Sequence, residues 1–93
     1  MIASKAIGHS AVKELNELCG EILGSKIVYR LYMIELCEHS LYAVYVEYGD
    51  EFDARFVGSD VFRAQEIYNL ICRNEVTPCT FGNVIDEICS VIN

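Results

Sequence analysis

Apolar side chains recur with a period of two through the middle of the chain, residues 26–58, and at three- and four-residue spacing on either side of it. The run Ile27-Val28-Tyr29-Arg30-Leu31-Tyr32-Met33-Ile34-Glu35-Leu36 is rich in β-branched and aromatic residues and free of Gly and Pro, which suits a pleated strand. Alternation puts Ile27, Tyr29, Leu31 and Met33 on one face. Val28, Tyr32, Ile34 and Leu36 share the other, interrupted by Arg30. Both faces are largely apolar, so this strand calls for cover on two sides, from helices of its own chain or from another subunit. Cys37-Glu38-His39-Ser40 has the polarity and length of a hairpin loop. A second strand over 41–48 places Tyr42, Val44, Val46 and Tyr48 on one face. Leu41, Ala43, Tyr45 and Glu47 lie on a more mixed one. Gly49-Asp50 reads as a two-residue turn. Phe52, Ala54 and Phe56 then alternate with Asp53 and Arg55, a third strand with one dry face and one wet one. Loops this short make the strands an antiparallel meander.

Before the meander, Val12, Leu15, Leu18, Cys19, Ile22 and Leu23 recur as on one stripe of a helix, with Ser10 as its cap and Gly24 just past its end. After it, Ser59 or Asp60 caps a second helix whose stripe is Val61, Ala64, Ile67, Tyr68, Ile71 and Cys72, closed by Arg73-Asn74. Thr77-Pro78 breaks the chain. Thr80 then caps a third helix carrying Phe81, Val84, Ile85, Ile88, Cys89 and Ile92. The expected fold is therefore α+β: a three-stranded antiparallel meander with one N-terminal and two C-terminal helices, in the order αβββαα. Residues 1–93 form a single domain, with a loose N-terminus over 1–9 and a helical extension over 10–24.

Residues 28–93 resemble a family of short uncharacterised bacterial proteins, a domain-of-unknown-function group typical of Gram-positive anaerobes. The resemblance rests on Tyr29-Arg30-Leu31, the Tyr-x-Val-x-Val-Glu pattern from Tyr42 to Glu47, the Val76-Thr77-Pro78 elbow and Asn83-Val84-Ile85-Asp86-Glu87. It implies that the segment before the first strand is an addition to the family's core. It implies no activity, ligand, partner or site residue.

Composition alters this picture in one respect. With 53% hydrophobic residues and a mean hydropathy of +0.25, a chain of 93 residues has more apolar surface than so small a core can absorb. A homodimer is the expected outlet, and the strand flank of Ile27, Tyr29, Leu31 and Met33 is the expected interface. The net charge of −7, with no cluster of Lys or Arg, disfavours nucleic acid and anionic membrane surfaces as partners. No apolar run approaches the ~18 residues of a membrane span, and the start lacks a signal peptide's h-region. Five dispersed cysteines without a C-x-x-C pair suit reduced thiols in the cytoplasm.

Candidate chemistry is sparse. Cys37, Glu38 and His39 bring three ligand types into one loop, but a structural metal site gathers four at characteristic spacing, and a polar turn explains them better. Glu47, Asp50, Glu51 and Asp53 lack the EF-hand pattern and read as a solvated turn. Five of six tyrosines fall in the first two strands, where an apolar body with a polar tip suits core margins and interfaces. No catalytic, cofactor-binding or metal-binding residue is predicted, and no cofactor. The expected function is a non-catalytic protein-interaction or self-association module, not an enzyme, working with itself or with another protein. The alternative is a small-molecule sensor with a pocket between sheet and helices.

Overall fold

The computed structural model describes residues 11–92, with side chains as far as Ile88. The expected loose N-terminus over 1–9, the capping Ser10, His9 and the side chains of Cys89 and Ile92 lie outside the described residues. Among the described residues there are four strands and two helices: β1 (Ala11–Ile22), β2 (Ser25–Glu35), β3 (Ser40–Tyr48), β4 (Glu51–Phe56), α1 (Val61–Arg73) and α2 (Pro78–Ile92). The strands form one antiparallel sheet in the order β1-β2-β3-β4.

The class is α+β as expected, but the N-terminal helix is a strand, and the order is ββββαα. Two local features explain the change. Leu23 and Gly24 both take positive φ, 52° and 85°, which is the two-residue hairpin turn whose twist suits antiparallel strands; Gly24 ends no helix. The ladder also slips between Glu14 and Asn16, leaving Leu15 as a bulge. A bulge inserts one residue and reverses the alternation beyond it. Glu14 and Glu17, three apart, thus share a face, which in sequence looks like one turn of helix. Because β1 is exposed along most of its length on both faces, burial imposes little alternation on it.

The helices lie where their stripes indicate. Asp60 caps α1, its carboxylate accepting from the backbone N–H of Phe62 at 2.9 Å and Arg63 at 3.4 Å. Ala64, Ile67, Tyr68 and Ile71 are the buried stripe. At the other end Val76 N–H donates to the Ile71 carbonyl and Glu75 N–H to that of Cys72, both at 3.2 Å, a Schellman closure with Val76 tucked against the helix. The positive φ it needs falls on Glu75 (51°), not on Asn74. α2 starts at Pro78, two residues before the expected cap, because proline's fixed φ and missing donor suit a first helical position.

Both helices pack on one face of the sheet. There Ile27, Tyr29 and Leu31 of β2 and Tyr42, Val44 and Val46 of β3 meet Ala64, Ile67, Tyr68, Ile71, Phe81 and Ile85. Leu31, Val44, Val46, Ile67, Ile71 and Phe81 are fully buried and fill the space between the layers. The other face of the sheet carries no helix among the described residues.

Candidate interaction surface

The registers define that open face row by row, since directly paired residues point the same way. Val12, Ile34 and Leu41 form the first row, and Glu14, Tyr32, Ala43 and Phe56 the second. Glu17, Arg30, Tyr45 and Ala54 form the third, and Cys19, Val28, Glu47 and Phe52 the fourth. The charged members are Glu14 and Glu17 on β1, Arg30 on β2 and Glu47 on β3, while β4 presents Phe-x-Ala-x-Phe.

The rings form a continuous cluster. Tyr32 meets Tyr45 edge to face with centroids 6.3 Å apart, and Tyr45 stacks with Phe52 at 6.2 Å. The Arg30 guanidinium lies 5.5 Å from the Tyr45 centroid. Its Nε donates to Glu17 at 2.9 Å and lies 3.4 Å from Glu14, a clamp made possible by the bulge at Leu15. The hydrogen bond to Glu17 raises the Arg30 pKa above its usual value. The Tyr45 hydroxyl donates to Glu47 at 2.8 Å; burial first, then that bond, raises its pKa too. Phe52 is 70% exposed and Phe56 66%, far more than isolated surface apolar residues require.

The expected interface residues sit elsewhere. Ile27, Tyr29 and Leu31 are buried beneath α1 and α2 of the same chain, and Met33 is half-buried at the margin of that core. Their flank is covered in cis, so no partner reaches it in this fold, and the apolar flank left uncovered is the opposite one. β4 is likewise reversed from expectation. Its Phe52 and Phe56 are the bare residues, while Asp53 and Arg55 face the helix layer, opposite Val46 and Val44. Arg55 lies over α2 at Gly82, where a Cβ would stand 2.5 Å from a guanidinium nitrogen. The signal for this was present in the chain. The two-residue turn at Gly49-Asp50 pairs Tyr48 with Glu51, and so Glu47 with Phe52 and Tyr45 with Ala54.

Other candidates stay apart. Cys37, Glu38 and His39 are exposed in the loop between β2 and β3. Cys19 lies exposed on β1 instead of packing on a helix, and Cys72 is half-buried, its thiol pKa raised by burial. Among the described residues no group of three or more His, Cys, Asp or Glu is placed to hold a metal ion. No described helix is long and apolar enough to cross a membrane. Of the open grooves, one of about 410 Å³ between β1 and α1 is lined by Asn16, Leu18, Tyr68 and Cys72, and another by Asp50, Phe52, Asp53, Pro78 and Cys79. Both open at the margins where the sheet meets the helix layer, the region in which the alternative reading expects a sensor pocket. Comparison with known proteins returns no matching family model, curated protein or solved structure.

Proposed function

We propose that this chain is a non-catalytic protein-interaction module, and that its contact surface is the open face of the sheet. The observation that carries this reading is the apolar patch of the bare rings Phe52 and Phe56 beside the half-buried Tyr45, Tyr32, Ile34 and Leu41, on the side of the sheet away from both helices. An antiparallel sheet can leave a polar face to water, but the uncovered face here exposes the rings of Phe52 and Phe56. Its aromatic rings run from the middle of the sheet to the edge strand β4, and the one cation of its third row is already paired with Glu14 and Glu17. In this reading the module binds protein, with neither nucleic acid nor anionic lipid as partner, because the surface offers carboxylates where those partners need cations.

The test is size in a native extract. The wild-type chain is expected to elute well above its own 10.5 kDa. A Phe52→Lys/Phe56→Lys variant that keeps the wild-type circular dichroism is expected to elute later. Identical elution of the two would overturn the assignment of this face.

A further inference from the structure

We infer that the edge of β1 over 16–22 is a second contact, which takes an extended segment of another protein as a fifth strand. That segment turns apolar side chains towards the helices and basic ones towards the other flank. This contact is independent of the open face.

The edge itself specifies an extended occupant. Among the described residues β1 pairs with β2 alone, so every second residue turns its N–H and C=O away from the sheet. Water satisfies such groups singly, whereas an extended backbone satisfies them as a row. The two edges of the sheet are guarded differently. β4 is six residues long, carries the charges of Asp53 and Arg55 on its helix side, and gives its Ala54 N–H to the Asp53 carboxylate at 2.9 Å. β1 is twelve residues long. Its bulge at Leu15 interrupts the first half, but from Asn16 to Ile22 the ladder is regular. The helix-side members of that stretch, Asn16, Leu18, Gly20 and Ile22, carry no charge.

The helix side of this edge has room for apolar side chains. α1 packs on β2 and β3, leaving over β1 a groove whose apolar members are Leu18, Tyr68 and Cys72 and whose charged ones are Glu17 and Arg73. Leu18 is 49% exposed there. Gly20 is not in left-handed backbone, and a Cβ on it would meet only Ile27, at an ordinary 3.7 Å. Nothing in the described chain therefore requires glycine, which in a strand interior marks the close approach of another chain. Between Leu18 and Ile22 it leaves a hollow across which a large side chain of an added strand can lie.

The other flank sets the charge. There β1 carries Glu14, Glu17 and Glu21, and β3 carries Glu47, against Lys26 and Arg30 of β2. Glu14 and Glu17 share Arg30, and Glu21 stands across from Lys26 without an ion pair among the described residues. Lys13, the one cation of β1, lies on the helix side and before the bulge. Carboxylates thus occupy the outermost strand and cations the next one in, so a strand added at the edge meets acid first. In a chain of net charge −7 this favours a basic segment. A second β1 would set glutamates against glutamates, which is unfavourable.

The experiment is fluorescence anisotropy of a labelled pool of seven-residue peptides, lysine alternating with valine, isoleucine, phenylalanine or tyrosine, titrated with the purified full-length chain. Binding with a Kd on the order of 10–100 μM is expected. A pool with glutamate for lysine, and a lysine pool N-methylated at every backbone nitrogen, are each expected to bind roughly tenfold more weakly or worse. Leu18→Lys, which puts a charge on the helix side of the edge, is expected to cost about as much with unchanged circular dichroism. Phe52→Lys/Phe56→Lys is expected to bind the lysine pool as wild type does. Hydrogen exchange of the wild-type chain is expected to slow at amides of 16–22 when the pool is bound, and not in β4. No binding by the lysine pool, equal binding by the methylated pool, or protection in β4 instead of β1 overturns the edge. Loss of binding in Phe52→Lys/Phe56→Lys moves the site to the open face and overturns it equally. Equal binding by the glutamate pool overturns the basic partner.

Discussion

At the scale of single residues, the tyrosine hydroxyls divide the molecule into paired and unpaired groups. Tyr48 donates to the Ile22 carbonyl at 2.8 Å, tying β3 to the end of β1, and Tyr68 donates to the Tyr29 carbonyl at 3.3 Å, tying α1 to β2. The Tyr29 hydroxyl is buried and finds no partner among the described residues. Burial, followed by the nearness of Cys72 and Glu75, pushes its pKa from 10 up to about 12. An unfolded tyrosine ionises first, so the stability linked to this group is intact below pH 10 and is lost as pH rises through about 12. Tyr29→Phe removes both the orphaned hydroxyl and its titration. The variant is expected to be at least as stable as wild type at neutral pH and to unfold at higher pH in alkaline titration followed by tyrosinate absorbance. Coincident titration curves would refute this account of Tyr29.

At the scale of elements, two junctions hold ordinary residues in left-handed backbone. Leu23 occupies the first central position of the β1–β2 turn, where Asn or Gly is preferred, and its side chain is 94% exposed. Leu23→Asn should stabilise the fold by roughly 0.5–1 kcal/mol, since no packing is lost and the strain is relieved. Glu75 closes α1 in the same conformation, and Glu75→Gly should gain a similar ~0.5–1 kcal/mol after the extra chain entropy of glycine is set against it. Each change should raise the melting temperature by a few degrees in a domain of this size, and a fall in either would mean that the turn or the cap is not as described. These junctions also show what was legible. The stripes of α1 and α2 and the strand character of β2 and β3 follow from periodicity, because each buries one face and burial enforces the period; β4 has no buried residue, and its strand character shows only in its alternation and the Gly49-Asp50 turn before it. β1 buries neither face, and its bulge turns the alternation of a strand into three-residue spacings. Periodicity there reported on nothing that the fold was using.

At the scale of the whole molecule, the described chain is a two-layer body with a bare outer sheet. Its Cα radius of gyration, 14.1 Å, exceeds the roughly 12 Å of a compact domain of this length, as expected for a long β1–β2 hairpin that extends past the helices. A partner that covers the bare face should stabilise the fold, because it binds folded chains and not unfolded ones. The melting temperature of the wild-type chain is expected to be higher in native extract than in buffer, and that of the Phe52→Lys/Phe56→Lys variant to be the same in both; equal values for wild type would count against the contact surface.

What the sequence determined by itself was the strand character of three strands, both C-terminal helices, a cap at Ser59 or Asp60 and the surplus of apolar side chains. Which side of the sheet the helices take is a property of the folded molecule. β2 is greasy on both flanks, and only the lie of α1 and α2 decides that Ile27, Tyr29 and Leu31 go under cover while Tyr32 and Ile34 stay half-buried and the phenyl rings of β4 bare. Local spacing carries the period of a strand. The side that meets water or a partner depends on contacts between residues far apart in the chain.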